Sequence, residues 1–386
     1  MKKLAIITSH PIQYNAPLFR VLTERKNITV KVFYTWGQTK DGLVYDPDFK
    51  REFKWDIPLL DGYEYEFVEN ISKTPGAGNF SGIDNRDLNE RIKQYNPDTL
   101  LVYGWSFKSH LRTLRYFKGR KKIIFRGDST LLDEAIGFSF RKAARRFFLT
   151  WVYRHIDVAL YTGEANKAYF IQHGIKESQL HYAAHAVENE RFFDADGIHE
   201  AKAIAWRRNL LIPDEAIVFL FAGKLEEKKD PALLINAFKT MTYPDIRLLI
   251  VGNGLLEQKL KEEAAGDERI LFLDFQNQQL MPVVYRLGNV FVLPSKGPGE
   301  TWGLSINEAM ACARPVIVSD RCGSAVDLVC ENGFIFEARC ETELEKTIRF
   351  FVDDKGKKLK EMGKKSLTHI EQFSFTKIAQ AIESVI

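Results

Sequence analysis

The chain reads as an α/β protein of two doubly wound domains, and three observations predict it. Short apolar runs alternate with helical patterns, the signature of βαβ units on a parallel sheet. The alternation runs through the first half and starts again, more regularly, in the second. Between the halves lies Asp194-Ala-Asp-Gly-Ile198, a polar link between the Phe192-Phe193 pair and a basic helical segment, Glu200–Arg208. A length of 386 residues fits two or three domains of about 150 residues each, and 45% apolar content is enough for sizeable cores.

In the first half the predicted strands are Leu4–Thr8, Thr29–Tyr34, Tyr65–Val68, Thr99–Tyr103, Lys122–Phe125, Val158–Tyr161 and His181–Ala184. Amphipathic stretches such as Asn85–Tyr95 and Ser106–Phe117 separate several of them. Residues 36–82, rich in Gly, Pro, Asp and aromatics, are expected to form irregular insertions over the sheet's carboxyl edge. The stretch 136–156 carries Arg141, Lys142, Arg145 and Arg146 on one helical face and Phe140, Ala144, Phe147, Phe148 and Trp151 on another. Such a helix either lies on an anionic membrane surface or packs its apolar face on the sheet with its charges in water. In the second half the strands are Ile217–Ala222, Arg247–Val251, Ile270–Leu273, Val290–Pro294 and Val316–Ser319. Their helices are Pro231–Met241, Leu255–Ala265, Gln279–Leu287 and Leu304–Ala313. Phe375–Ile386 reads as a C-terminal amphipathic helix.

Composition narrows the function. With 55 basic and 51 acidic residues, the net charge of +4 is too balanced to imply nucleic acid. Cys312, Cys322, Cys330 and Cys340 show no C-x-x-C spacing, so they read as reduced packing thiols of a cytosolic protein without a zinc site. Leu4-Ala5-Ile6-Ile7 after Met1-Lys2-Lys3 is too short for a signal peptide. No apolar run of about 18 residues exists to span a membrane.

The chemistry concentrates in residues 297–311, Gly-Pro-Gly-Glu-Thr-Trp-Gly-Leu-Ser-Ile-Asn-Glu-Ala-Met-Ala, which follow the apolar run Asn289–Ser295. Strand, glycine-rich loop and helix in that order make a phosphate cradle, because a helix start offers unpaired N–H groups and partial positive charge. Gly303 lets the backbone approach the phosphate oxygens. Glu300 and Glu308 are poorly placed to attract phosphate. They either hold sugar and ribose hydroxyls, or are respectively a solvated loop residue and a first-turn acid favoured by the helix dipole.

Other strand ends add candidates. Gly223 opens the turn after Ile217–Ala222, and Lys224 and Lys229 offer cations for a diphosphate as its charge develops; a lysine-rich loop is otherwise simply solvated. Val251-Gly-Asn-Gly254 reads as a tight strand-to-helix turn. Phe275 reads as core packing unless a ligand meets it. After the first strand stands His10-Pro-Ile-Gln-Tyr-Asn15, where a dinucleotide-binding domain would need G-x-G-x-x-G, which argues against a nicotinamide enzyme. Trp105 offers an aromatic platform. Asp128 either orients an acceptor hydroxyl or pairs with Arg126. His110 reads as the interior of a helix.

The spacing Glu300-x7-Glu308 within PGETWGLSINEAMACARPVIVSD resembles the E-x7-E signature of glycosyltransferase family 4. Gly303-Leu304, Glu308-Ala309-Met310-Ala311 and Pro315-Val316-Ile317 fit as well, and Gly223, Lys224 and Lys229 match the family's Gly-Arg/Lys pair with a Lys five residues on. The resemblance implies a GT-B fold of two Rossmann-like domains facing across a cleft: an acceptor domain over 1–195, a donor domain over 196–373, and a helix over 374–386 that crosses back. It implies sugar transfer, with retention and no bound metal or other cofactor, from a UDP- or GDP-sugar to a glycan or lipid-linked hydroxyl. Glu300, Lys229, Lys224 and Asp128 would be catalytic. Gly223, Asn253, Phe275, Gln276, Thr301, Trp302, Gly303, Leu304 and Glu308 would complete the donor site. His10, Gln13, Tyr14, Trp105 and Arg126 would join Asp128 at the acceptor. The setting would be bacterial surface polysaccharide synthesis, in the cytoplasm at the membrane's inner face. The family's usual Gly-Gly turn is replaced by HPIQY, which marks a subgroup, and its usual His beside the donor sugar is absent at Phe125–Ser129. Rival readings are an epimerase or phosphorylase of the same fold, or a non-catalytic nucleotide-sugar-binding scaffold.

Overall fold

The computed structural model describes residues 1–37, 44–46, 51–134, 137 and 139–386. They divide into two compact units. Unit 1 comprises Met1–Val44, Ile57–His185 and Phe375–Ile386, and unit 2 comprises Tyr45–Asp56 and Ala186–Ser374.

The strands of unit 1 are β1 (Lys2–Thr8), β2 (Ile28–Tyr34), β5 (Glu64–Phe67), β6 (Thr99–Tyr103), β7 (Lys122–Arg126), β8 (Val158–Tyr161) and β9 (Leu180–Tyr182); β3 (Val44–Asp46) and β4 (Arg51–Phe53) form a separate ribbon. The seven-stranded sheet has the order β5-β2-β1-β6-β7-β8-β9, with parallel pairing throughout. Leu4, Ala5, Ile6 and Ile7 are fully buried as an unbroken run, which is what a parallel strand covered on both faces requires. Leu100, Val102, Ile123 and Phe125 from the central strands pack with Leu114, Leu149, Val152 and Phe170 from the helices.

Unit 2 repeats the plan with β10 (Ile217–Ala222), β11 (Ile246–Val251), β12 (Ile270–Leu273), β13 (Val290–Leu293), β14 (Val316–Ser319) and β15 (Gly333–Phe336). The order is β12-β11-β10-β13-β14-β15, again parallel. In each sheet the winding reverses at one place: between β1 and β6 in unit 1, and between β10 and β13 in unit 2. Crevices beyond the carboxyl ends at such switch points are where open α/β sheets bind ligands.

Four features differ from the expectations. The stretch 36–82 is not irregular throughout: it holds the β3–β4 ribbon and β5, and Tyr45–Asp56 joins unit 2 instead of covering the first sheet. Residues 38–43 and 47–50 of that stretch lie outside the described ones. The edge strand β15 is absent from the predicted strands, being short, half-exposed and led by Gly333, where a Cβ would lie 1.9 Å from the Val316 carbonyl oxygen. The link at 194–198 is fastened: the Asp194 carboxylate accepts from the His199 and Glu200 amides at 3.1 and 2.8 Å, capping the helix Ile198–Asn209. The compact units part earlier, after His185. Finally, the helix expected over 136–156 runs Phe140–Tyr153, and its Ile136 lies outside the described residues.

The last helix, Phe375–Ser384, packs within unit 1 on Ala16–Glu24. Arg25 grips Glu383 through two N–H donors, at 2.9 and 2.8 Å. That fork-to-carboxylate geometry fixes both position and angle.

Candidate active site

At the switch point of unit 2, the loops after β10 and β13 are laced together. The first loop leaves the sheet at Gly223, makes a 3₁₀ turn over Glu227–Lys229 and enters the helix Pro231–Lys239 through Asp230, whose φ is +47°. The second runs from Ser295 to Gly303 and enters the helix Leu304–Ala311. The Lys229 ammonium donates to Glu300 Oε2 at 2.7 Å, with the two side chains only 14% and 9% exposed. Ser295 Oγ donates to the same oxygen at 3.0 Å. Nearby, Lys296 bonds Glu227 at 2.9 Å and Asp230 at 3.2 Å, and its amide donates to the Lys228 carbonyl at 2.8 Å.

The electrostatics follow from this enclosure. Burial is the largest influence on Glu300 and opposes its ionisation, but Lys229, with Lys228 and the Ser295 hydroxyl, outweighs it and holds the carboxyl below its ordinary value. Burial likewise opposes the Lys229 charge, and Glu300 reverses that, raising the ammonium above its ordinary value. Both groups are therefore charged at neutral pH, in a site partly withdrawn from solvent.

Gly303 has φ +93°, and a Cβ there would come within 3.1 Å of Leu293 and Ile306. Glycine thus makes this helix start possible. Trp302 is 3% exposed and works as an anchor: its Nε1 donates to Asn307 at 2.8 Å, and its carbonyl accepts from Ser324 N and Oγ at 3.2 and 2.6 Å. Thr301 is partly buried beside it. Leu304 opens the helix, and Glu308, at 3% exposure, accepts from the Tyr285 hydroxyl at 2.6 Å.

The neighbouring loops support the first two. A Cβ on Gly252 would lie 2.1 Å from the Gly223 carbonyl oxygen, and one on Gly254 would lie 2.5 Å from that of Leu225. The two glycines let these turns touch. Asn253 is a tie between loops: its Oδ1 accepts from the Phe275 amide at 2.8 Å, and its Nδ2 donates to Glu257 and Asp274 at 2.9 and 3.1 Å. Gln276 folds onto the Asp274 carbonyl at 3.0 Å. Lys224 is partly buried in a loop pinned by Leu225 N to Asn253 O at 3.0 Å.

Unit 1 collects the other candidates at its own carboxyl edge. His10 accepts or donates through Nδ1 to Ser9 Oγ at 3.0 Å and meets Trp36 edge-on; burial pushes it down to about 4. Gln13 and Tyr14 are partly buried in the following turn. Trp105 packs against the core and edge-on to Phe148 at 5.4 Å, so its ring is less open than a free platform. Arg126 is 4% exposed and donates to the Ala183 and Ala184 carbonyls at 2.7 and 3.2 Å. Asp128 is 53% exposed and lies 4.0 Å from His185. His110 is fully buried in the helix Lys108–Phe117, between Thr35 and the Tyr103 and Gly104 carbonyls, and burial pushes it down to about 4.

Three further residues take part in these contacts without a sequence motif that marks them. Ser295 ends an apolar run and was visible as a strand terminus, yet nothing local tied it to Glu300. Tyr285 lies 23 positions before Glu308, and no motif links them. His185 follows β9, at the carboxyl edge where ligands gather; that position was its one signal.

Residues 203–368 match the family described as Glycosyl transferases group 1. Among curated relatives, D-inositol 3-phosphate glycosyltransferase of Corynebacterium efficiens is 28% identical over 191 residues, 46% of this chain and 44% of that protein. The enzyme of the same name from Mycobacteroides abscessus is 34% identical over 126 residues, 31% and 27% of the two chains. The chain thus matches less than half the length of these relatives. Among solved structures, Anabaena HepE in complex with UDP superposes with a TM-score of 0.73 at 18% identity, covering 100% of this chain and 99% of that one. A glycosyltransferase from Rickettsia africae gives 0.74 at 15% identity, covering 100% and 97%. These likenesses establish the GT-B fold. The matched stretch includes the loops described above, from Gly223 to Glu308. Among the described residues no helix is long and apolar enough to cross a membrane.

Proposed function

We propose that the protein is a retaining glycosyltransferase that moves a sugar from a nucleotide diphosphate sugar to a hydroxyl of a glycan or lipid-linked acceptor. The observation that carries this is the Lys229–Glu300 contact at the switch point of unit 2, beside the glycine-led helix start at Leu304. A diphosphate at that helix start gains amide donors and a favourable dipole. Lys229 and Lys224 supply the positive charge that stabilises it as it departs, in place of a divalent ion. Glu300, kept ionised by Lys229, accepts hydroxyls of the transferred sugar. The HepE complexes with UDP, and with UDP and glucose, support a uridine nucleotide as donor. The acceptor falls to unit 1, with Asp128 among its contacts. The relatives WaaG, described as involved in lipopolysaccharide biosynthesis, and WaaB, a lipopolysaccharide outer core galactosyltransferase, support a role in bacterial surface glycan assembly.

The test is transfer from UDP-, GDP- and ADP-sugars to an acceptor panel, by wild type and by Glu300→Gln. Turnover with one donor, reduced at least about 100-fold by Glu300→Gln, is expected. Equal turnover by both proteins would remove Glu300 from the site.

A further inference from the structure

The Glu300 carboxylate is held unevenly. Both of its side-chain donors meet one oxygen: Lys229 Nζ at 2.7 Å and Ser295 Oγ at 3.0 Å, each on Oε2. An ionised carboxylate accepts about two hydrogen bonds per oxygen, so Oε2 is filled. Oε1 accepts from nothing among the described residues and is not sealed from solvent. It is the oxygen still open to a ligand, on a residue that is only 8% exposed.

Lysine alone does not decide which way the carboxylate turns. Its ammonium is a compact charge on a flexible stem, and it can follow either oxygen. Ser295 is different, because it is 0% exposed and its backbone is held at two points. Its carbonyl accepts from the Ser319 hydroxyl at the end of β14, and the amide of the next residue, Lys296, donates to the Lys228 carbonyl at 2.8 Å. Glu300 is tied to the same surroundings, its carbonyl accepting from the Gly323 amide at 3.0 Å in the turn that follows β14. The serine hydroxyl has one proton and gives it to Oε2. With both ends of that bond anchored, it fixes the rotation of the carboxylate about its last side-chain bond. The direction of Oε1 is fixed with it.

We propose that Ser295 is a positioning residue for sugar recognition: it turns the Glu300 carboxylate so that Oε1 presents its lone pairs to hydroxyls of the donor's sugar, while Lys229 supplies the charge. The assignment rests on the glycosyltransferase reading above and adds to it a division of roles between the two carboxylate oxygens. A serine that merely braced the loop would act differently. The same loop leads to the Gly303 helix start where the diphosphate docks, so loosening it would weaken nucleotide and nucleotide sugar alike.

The experiment measures, by calorimetry on the full chain, the affinities of UDP, GDP, UDP-glucose, UDP-galactose, UDP-N-acetylglucosamine and GDP-mannose for wild type and Ser295→Ala. The tightest nucleotide sugar is then replaced by analogues lacking each sugar hydroxyl in turn. Ser295→Cys, of similar shape and a poor donor, serves in its place should the alanine variant not fold. Ser295→Ala is expected to bind the nucleotide as wild type does and the nucleotide sugar at least about tenfold more weakly. Wild type should lose affinity for one or two of the deoxy analogues, and Ser295→Ala should lose little more on those same analogues, because hydroxyl and serine act through one carboxylate. Equal weakening of nucleotide and nucleotide sugar, equal affinity of both proteins for the nucleotide sugar, or undiminished discrimination of the deoxy analogues by Ser295→Ala would overturn the assignment alone. Wild type that binds no nucleotide sugar would instead overturn the glycosyltransferase reading, and the assignment with it.

Discussion

At the residue scale, the Lys229–Glu300 pair is both chemistry and structure. Removing one partner of a buried pair strands the other charge, at about 3–5 kcal/mol when burial is complete, so single alanine variants here confuse lost function with lost fold. The cleaner design is Lys229→Met with Glu300→Gln, singly and together. Each single variant should lower the melting temperature, and the double variant should recover part of the loss. The pH dependence has a definite sign. Glu300 is held below its ordinary value, so its contribution is complete above the usual carboxylate range and is lost as pH falls through the lowered value. Lys229 is raised, so its contribution is complete below its ordinary value and is lost as pH climbs through the raised one. The melting-temperature gap between wild type and Glu300→Gln should therefore stay flat from about pH 5 to 9 and close only in stronger acid. A gap that changes steadily across that window would show that the pair does not hold Glu300 ionised. Residue type and spacing left Glu300 and Lys229 open to being plain solvated loop groups, and only the family resemblance joined them with Gly303 in one candidate site; the structure brings Lys229 and Glu300 into contact. Asn253 was legible only as a loop residue: its bonds to Glu257, Asp274 and Phe275 depend on two turns meeting, which no local pattern encodes.

At the scale of elements, strands buried on both faces announce themselves as unbroken apolar runs, whereas β15, starting at Gly333 on a sheet edge, carries no such run. The helix Phe140–Tyr153 poses a sharper question. Its inward side buries Leu149, Val152 and Tyr153, while Phe140 and Phe147 are 86% and 78% exposed. Arg141 and Lys142 stand in the first turn, with no acid there, against the preference of the helix dipole. On an anionic membrane surface, each basic residue of this helix would contribute about 1 kcal/mol and the exposed phenylalanines would enter the headgroup layer. Co-sedimentation with vesicles containing phosphatidylglycerol, but not with pure phosphatidylcholine, is expected. Phe140→Ser with Phe147→Ser, or Arg141→Gln with Arg146→Gln, should release the protein about tenfold more readily. Equal binding to both vesicle types, or to neither, would contradict this role.

For the whole molecule, the two units carry their titratable burdens differently. In unit 1, burial pushes His10 and His110 down to about 4 and His185 down to about 3, and it lowers His173 as well. A histidine whose folded value is depressed supports the fold fully above its unfolded value, about 6.5, and loses that support as pH falls toward the folded value. Acidification from about pH 7 to 5 should therefore destabilise unit 1 before unit 2, in the range set by ordinary histidine. Hydrogen exchange, corrected for intrinsic rates, should show protection falling first in β1, β6 and β7; uniform loss across both units would contradict it. The duplicated βαβ plan was legible because each sheet repeats the same buried runs, but the assignment of Tyr45–Asp56 to unit 2 was not, since the contacts that hold it, such as Gln279 to Asp56, span more than two hundred positions. The central claim, a nucleotide sugar seated at the switch point of the second sheet, is tested most directly by a crystal structure of the full chain with the donor that raises its melting temperature most. The diphosphate should lie against the Leu304 and Ser305 amides within reach of Lys229, with the sugar on Glu300; a donor bound elsewhere, or those amides occupied by protein groups, would contradict the account.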